Sequence, residues 1–229
     1  MCAIWPDDSH YAITRLIALE NTWGGKVLPP DYAPKVMALA NSRGLATHLD
    51  GARLFNAAVY SASSTVTPIN AAREICRSFD SVSMCLSKGL GAPVGSLLLG
   101  SKPLIAKARR MRKMLGGGMR QAGVIAAAGI YALDHHVDRL KDDHANAKLL
   151  ADGLVLASRG QMKIDVPQTN ILWAEVPPAL FAGFNAHLKL HGVLVSGAYG
   201  KQRWVTHLDV SREDVERAVE ITGNFFTGK

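Results

Sequence analysis

The chain has 229 residues, of which 48% are hydrophobic and 20% are charged, and its formal net charge is +7 at pH 7. This length and composition allow one or two domains with a sizeable buried core, and they exclude a disordered or low-complexity protein. No apolar run approaches the roughly 20 residues that span a bilayer, and the amino terminus lacks the basic and apolar regions of a secretory signal.

Short apolar segments alternate with amphipathic ones over the first 138 residues, which is typical of an α/β fold. We predict strands at residues 16–19, 45–49, 81–86 and 96–99. Helices are predicted at residues 31–42, 71–77, 103–115 and 121–133. The polar stretch at residues 59–70 is interpreted as a loop.

The pattern changes near residue 138, where a charged amphipathic helix at residues 139–157 is predicted. Strands at residues 162–166, 170–175, 193–196 and 203–206 follow, with a helix at 179–191 among them. A final helix is expected to begin at Ser211, a residue type that commonly caps helices, and to end at residue 226. This second unit is predicted to be α+β, so we place a domain boundary between residues 1–138 and 139–229.

Much of the positive charge lies in the helix at residues 103–115, on Lys107, Arg109, Arg110, Arg112 and Lys113. Two interpretations are open, a nucleic-acid patch and a solvated helix face. The absence of a nucleic-acid-binding motif or interleaved aromatic residues favours the solvated face, and no nucleic-acid or membrane partner is expected. The three cysteines, Cys2, Cys76 and Cys85, have no metal-type spacing, so we expect no metal site and a reduced, cytoplasmic location.

The first candidate site follows the strand at residues 45–49. Asp50 and Arg53 stand at its carboxyl end, which is where open α/β sheets bind ligands. The alternative is structural, with Asp50 capping the next helix.

The second candidate site is Lys88, which directly follows the strand at residues 81–86. A lysine amine in a partly desolvated pocket has a lowered pKa, which suits Schiff-base chemistry. The alternative is an ordinary exposed loop lysine. Gly89, Gly91 and Ala92 favour the functional interpretation, since small residues allow a bulky planar ligand to approach the backbone. Cys85 is expected to be a core residue of its strand.

Together, Asp50 and Lys88 supply the two groups that pyridoxal 5'-phosphate (PLP) requires. The lysine binds the cofactor aldehyde, and the acid keeps the pyridine nitrogen protonated so that the ring can accept electrons from a substrate carbanion. The two residues are expected on successive strand ends.

Five ordered segments resemble motifs of the threonine aldolase family, a group of fold-type-I PLP enzymes. They are LENT with Gly24 and Gly25 (residues 19–25), HLDGAR (48–53), SKGLGAPVGS (87–96), KMLGGGMRQAG (113–123) and RWVTHLDV (203–210). The resemblance implies a partial α/β/α large domain, a small α+β carboxy-terminal domain, and a homodimer or homotetramer. The implied reaction is cleavage of threonine or a related β-hydroxy-α-amino acid to glycine and an aldehyde.

The resemblance also implies roles for individual residues. Lys88 would bind PLP covalently and act in catalysis, Asp50 would pair with the pyridine nitrogen, and Ala52 would pack on one face of the ring. Arg53, also beside the cofactor, would bind the substrate carboxylate with Arg203, because a guanidinium matches a carboxylate bidentately.

Arg120 would lie near the cofactor phosphate, with a route to it across a subunit interface. Its structural alternative is an arginine at a helix start that hydrogen-bonds neighbouring carbonyls. His207 belongs to the last motif and either lines the pocket or has a structural role.

The chain departs from the family pattern at its beginning, so we expect an amino-terminally truncated form. The segment that in the family carries the phosphate-binding loop and a histidine that stacks on the cofactor is absent, and apolar faces at residues 16–19 and 82–86 are therefore expected to be uncovered. The spacer around residues 61–68 is longer than the family's and is expected to be a surface loop. A β-eliminating lyase and a non-catalytic partial product remain the alternatives to an aldolase.

Overall fold

A computed structural model describes residue 4 and residues 8–198 and 200–228, and Cys2 lies outside the described residues. Within that range the chain forms two four-stranded sheets joined by helices. The first contains β1 (Leu16–Glu20), β2 (Ala46–Asp50), β3 (Ser81–Cys85) and β4 (Ser96–Gly100) in sequential order. β1, β2 and β3 are parallel, and β4 pairs with β3 in the antiparallel sense.

The helices of this half are α1 (Tyr32–Ser42), α2 (Leu54–Ser61), α3 (Pro68–Cys76), α4 (Lys102–Met114) and α5 (Gly123–His135). Side chains alternate between the two faces of a strand, and in β3 Val82 and Met84 enter the core with residues of α2 and α3. The expectation that the segment 82–86 is uncovered is therefore wrong, because these helices lie on its apolar face. Leu16, in contrast, is 49% exposed, as expected.

Cys85 is only half-buried, and the expectation of a core cysteine is wrong. The alternation that buries Val82 and Met84 places Ser81, Ser83 and Cys85 on the opposite, polar face of the sheet. The Ser96 hydroxyl donates a hydrogen bond to Cys85 Sγ at 3.6 Å on this face.

The second sheet begins after α6 (Leu140–Ala157) and is antiparallel, in the order β5, β6, β8, β7. The elements of this second half are β5 (Lys163–Ile164), β6 (Ile171–Glu175), α7 (Pro178–Leu190), β7 (Ser196–Ala198), β8 (Lys201–Val205) and α8 (Arg212–Thr227). Ser211 caps α8 as predicted, in a reciprocal capping box with Asp214.

Each sheet has its own apolar core, which supports the proposed division of the chain near residue 138. The first core ends along the chain at Leu140, and the second begins at Leu150. Both residues lie on α6, so this helix packs into both units. The boundary itself stays a prediction.

Two predicted elements are wrong. Residues 59–70 are not one loop, because α2 continues through Ser61 with its apolar side buried and α3 begins at Pro68 behind a Thr67 cap. The exposed connection is limited to residues 62–67, which fits the expected surface loop. The strand predicted at residues 193–196 is observed at Ser196–Ala198, because the backbone N–H of Val193 instead donates to Leu188 O at the end of α7.

The edge strand β4 and helix α4 form the most open part of the first unit. All five residues of β4 are exposed, and α4 buries none of its residues. The six basic side chains of α4, Lys102 included, are exposed, in agreement with a solvated helix face. Among the described residues, no helix combines the length and apolar character needed to cross a membrane.

Candidate active site

The carboxyl ends of the parallel strands bring polar side chains to one edge of the first sheet. Glu20 is in register with Asp50, and Asp50 with Ser83. Residues in register on neighbouring strands project from the same face, so these three side chains form a row. His48 precedes the row on that face and contacts the hydroxyls of both Ser81 (2.8 Å) and Ser83 (3.3 Å).

Asp50 does not cap a helix, and that structural alternative is wrong. α2 begins at Leu54 with Arg53 at the N-cap position. Asp50 Oδ1 instead accepts the N–H of Ala52 at 3.0 Å, and its side chain is exposed. The other carboxylate oxygen has no hydrogen-bond partner among the described residues and is free to receive a donor.

Lys88 lies on a turn whose backbone is fixed at several points. Gly91 N–H donates to Lys88 O (2.8 Å), and Ala92 N–H donates to Leu86 O (3.0 Å). The ring of His136 contacts Leu90 O through Nδ1 at 2.6 Å. Gly91 has φ +69°, a backbone conformation in which a residue with a side chain would be strained. The turn therefore presents Lys88 from a rigid backbone.

The Lys88 side chain is exposed, and the expected desolvated pocket is not formed by the described residues. Within that part of the chain, no hydrogen bond or ion pair engages its amine. The small residues after it also have a different role from the one predicted. A Cβ on Gly89 would lie 2.9 Å from Leu140 Cδ2 and 3.0 Å from Asn56 Oδ1, so the glycine allows the protein itself to pack closely. Ala92 is buried in the first core.

Arg53 and Arg203 bring one guanidinium from each of the two units to the same place. Burial lowers the pKa of Arg53, and the charge of Arg203 lowers it further. The nearby acidic groups of Glu20, Cys85 and Asp50 act in the opposite direction. Both arginines are half-buried. The pair forms a cationic site beside the strand ends that favours an anionic ligand.

Two neighbours of Arg53, Glu20 and Cys85, were not recognised as site residues from the sequence. Glu20 could have been found, because it ends its strand as Asp50 ends the next one. Cys85 could have been found from the alternation within β3, which places it on the face opposite Val82 and Met84.

The remaining predicted residues have mixed positions. Ala52 is half-buried and holds Asp50 through its N–H. Arg120 lies in the exposed turn between α4 and α5, and none of the described hydrogen bonds or ion pairs joins it to Lys88, Asp50 or Arg53. The structural alternative for Arg120 is also not observed, since no hydrogen bond among the described residues joins Arg120 to a neighbouring carbonyl.

His207 is exposed and accepts the N–H of Asp209 at 3.3 Å. The described residues contain no group of three His, Cys, Asp or Glu side chains arranged to hold a metal.

Comparison with solved structures identifies the class to which this fold belongs. A threonine aldolase from Leishmania major covers 96% of this chain and 63% of its own with a TM-score of 0.74 at 19% sequence identity. A serine palmitoyltransferase from Sphingomonas wittichii covers 94% of this chain and 55% of its own with a TM-score of 0.70 at 18% identity. The fold is that of the fold-type-I PLP enzymes, as the sequence motifs predicted.

Sequence comparison defines the family more narrowly. Residues 2–176 match the family model described as beta-eliminating lyase. The low specificity L-threonine aldolase of Escherichia coli K12 is 47% identical over 212 residues, which are 93% of this chain and 60% of that protein. The chain belongs to the beta-eliminating lyase family, and it spans 60% of the length of this relative.

Proposed function

We propose that this chain carries the cofactor lysine and the substrate-carboxylate site of a PLP enzyme, and that the whole protein cleaves threonine or a related β-hydroxy-α-amino acid to glycine and an aldehyde. The main support is the arrangement at the strand ends, where the amine of Lys88, unpaired among the described residues, follows β3 and the carboxylate of Asp50 ends the neighbouring strand β2. The 47% identity to a protein named as an L-threonine aldolase supports the choice of reaction.

The residues fit the ring portion of PLP. A primary amine that has no competing partner among the described residues can bind the cofactor aldehyde, and the free oxygen of Asp50 can accept a hydrogen bond from the protonated pyridine nitrogen. We propose that Ala52, which orients Asp50 through its N–H, packs on one face of the ring. The protonated ring supplies an electron sink for the bond cleavage when it is bound.

The arginines provide the site for the amino-acid substrate. We propose that Arg53, beside the cofactor, and Arg203 bind the substrate carboxylate, because two half-buried guanidinium groups beside one another favour an anion and each matches a carboxylate bidentately. This contact would orient the substrate with its β-hydroxyl away from the arginines. We assign the base that removes the hydroxyl proton to water or a histidine.

Arg120 is proposed to contact the cofactor phosphate from a second copy of the chain. The support is its position in an exposed turn flanked by apolar side chains that are themselves exposed, namely Met114 (70%), Leu115 (82%), Met119 (59%) and Val124 (72%). Exposed apolar groups of this size favour a protein interface. We therefore propose a cytoplasmic homodimer or homotetramer.

The cofactor proposal is tested by adding PLP to the purified chain and reducing the product with borohydride. Peptide mapping should locate the reduced pyridoxyl label on Lys88. Lys88→Ala should remove both the label and the visible absorbance of the lysine-bound cofactor, whereas Lys107→Ala, a change on the exposed face of α4, should remove neither. Labelling spread over several lysines would contradict the proposal.

A second candidate reaction is β-elimination, which the name of the matching family model favours. The two reactions give different products from threonine. Cleavage between Cα and Cβ yields glycine and acetaldehyde, whereas elimination yields 2-oxobutyrate and ammonia. Product analysis with the PLP-loaded chain alone separates the two reactions. Neither set of products would favour a non-catalytic chain.

A further inference from the structure

A buried polar junction connects the two units directly beneath the Lys88 turn. At its centre is Asn56 of α2, which is only 2% exposed. Its side-chain Nδ2 donates to Asn170 Oδ1 at 3.1 Å and contacts His144 Nε2 at 3.2 Å. Both hydrogen atoms of the amide nitrogen are thus used by groups outside α2, one preceding β6 and one on α6.

The orientation of these groups is determined by their neighbours. Asn170 Nδ2 donates to Thr206 O at 2.9 Å, so Asn170 Oδ1 must be the acceptor that faces Asn56. His144 accepts through Nε2 only when that nitrogen carries no proton. The burial of His144 favours this unprotonated Nε2, because it lowers the pKa of His144 to about 4 and keeps the ring neutral. The hydrogen bonds are therefore compatible in a single arrangement.

Asn56 also reaches both proposed halves of the active site. On one side, its Oδ1 lies where a Cβ on Gly89 would be only 3.0 Å away, so it packs against the residue that follows Lys88. On the other side, Asn170 leads to Thr206, three residues after Arg203, and Thr206 N–H donates to Asn170 O at 3.0 Å. The side chain is thus a short connection between the Lys88 turn and the end of β8.

We infer that Asn56 is a positioning residue that holds the Lys88 turn and the Arg203-bearing sheet in one relative arrangement. This inference rests on the proposed function. Hydrophobic packing alone allows neighbouring units to slide against each other. A buried hydrogen-bond network in which every group is satisfied allows few other relative positions of the two units. An apolar side chain at position 56 would fill the space but leave His144 Nε2 and Asn170 Oδ1 without donors. The expected consequence is a loosened turn together with a displaced arginine, not a general loss of the fold.

The first test measures hydrogen exchange of the backbone amides of Gly91, Ala92 and Thr206 in the chain without cofactor. Asn56→Leu should accelerate exchange at all three by about tenfold or more, because both ends of the junction are released together. Leu154→Ala, which creates a cavity in the core of the second unit, serves as the control for lost stability. It should leave the exchange rates of Gly91 and Ala92 close to those of the wild type. Equal effects of the two variants on Gly91 and Ala92 would overturn the inference.

Two substitutions of His144, on the opposite side of the junction, provide a second test if Asn56→Leu does not fold. His144→Gln retains an acceptor within reach of Asn56 Nδ2 and should preserve slow exchange at these amides. His144→Leu removes the acceptor and should accelerate it. Identical exchange in the two variants would show that the hydrogen bond does not position the turn.

The second test concerns the active site. Asn56→Leu should raise KM for threonine by about tenfold while PLP binding changes by less than about threefold, because Lys88 is kept and Arg203 is displaced. Unchanged KM would contradict the inference. If the wild-type chain binds no PLP at Lys88, the proposed function fails by that observation alone, and the exchange measurements still decide whether the junction couples the two units.

Discussion

Arg53, at the N-cap position of α2, and Arg203, on β8, lie close enough that the charge of Arg203 lowers the pKa of Arg53, in addition to the effect of burial. Like charges held together in a partly buried place destabilise a fold unless opposite charges offset them, and Glu20 and Asp50 act in that direction at Arg53. The burial and mutual repulsion of the two guanidinium groups favour an anionic ligand, and their energetic cost should be measurable in the free chain.

The arginine pair predicts opposite effects on stability and on binding. Arg203→Gln should slightly raise the free energy of unfolding, since it relieves repulsion, and should weaken binding of an amino acid by about 1.5–3 kcal/mol through loss of a charge-assisted hydrogen bond. Denaturant titration and calorimetric binding of glycine to the PLP-loaded chain measure the two quantities. Arg110→Gln on the exposed face of α4 is the control for a change in net charge. Unchanged glycine affinity in Arg203→Gln would argue against the carboxylate site.

Two ion pairs of the same spacing, one at the amino-terminal end of α6 and one within it, should differ in importance. Asp143 is completely buried beside Arg139, with Oδ1 at 2.5 Å from Nη2, whereas Lys148 and Asp152 are 66% and 65% exposed. Burial raises the pKa of Asp143 even with Arg139 present. Removing the arginine leaves a buried unpaired carboxylate, so Arg139→Ala should destabilise the chain by about 3 kcal/mol. Lys148→Ala should cost less than about 0.5 kcal/mol in the same denaturant titration.

His144 predicts how stability depends on pH. Its pKa falls from the ordinary 6.5 to about 4 on burial, so the unfolded chain binds more protons between these values. Stability from this group is complete above about pH 6.5 and decreases as the pH falls to about 4, by an amount on the order of 3 kcal/mol. Denaturant titrations of the wild type and of His144→Gln, compared from pH 4 to pH 7, isolate this contribution. Parallel pH profiles for the two proteins would show that His144 is not buried as a neutral ring.

Gly89, beside the proposed cofactor lysine, is expected to tolerate no larger side chain. Gly89→Ala places a Cβ against the buried side chains of Leu140 and Asn56, which cannot move without disturbing the core, and should cost about 1–3 kcal/mol. Gly123→Ala, at the start of α5 with no atom within 4 Å of the added Cβ, should be neutral or stabilising. Thermal unfolding of the two variants gives the comparison. Equal stability of both would mean that the turn has room to adjust.

Much of this fold was predictable because local sequence dictates it. Apolar runs such as residues 16–19 and 81–86 formed strands, and Ser211 capped its helix, since period and capping chemistry act over a few residues. Helix α2 was not predicted, because a helix of eight residues gives little periodic signal and is stabilised mainly by packing on the sheet. The five motifs contain Lys88, Asp50 and the arginines, which remain predicted site residues, but they could not show that Gly89 serves internal packing.

The sequence by itself determined the chemical groups, namely an amine and a carboxylate after successive strands and arginines in separate motifs. Only the tertiary structure decided which of them meet. Arg53 and Arg203 are 150 positions apart, and Asn56, His144 and Asn170 form one junction from three different segments. The reason is that strand register and helix packing act between distant parts of the chain, whereas a motif records only neighbours along it.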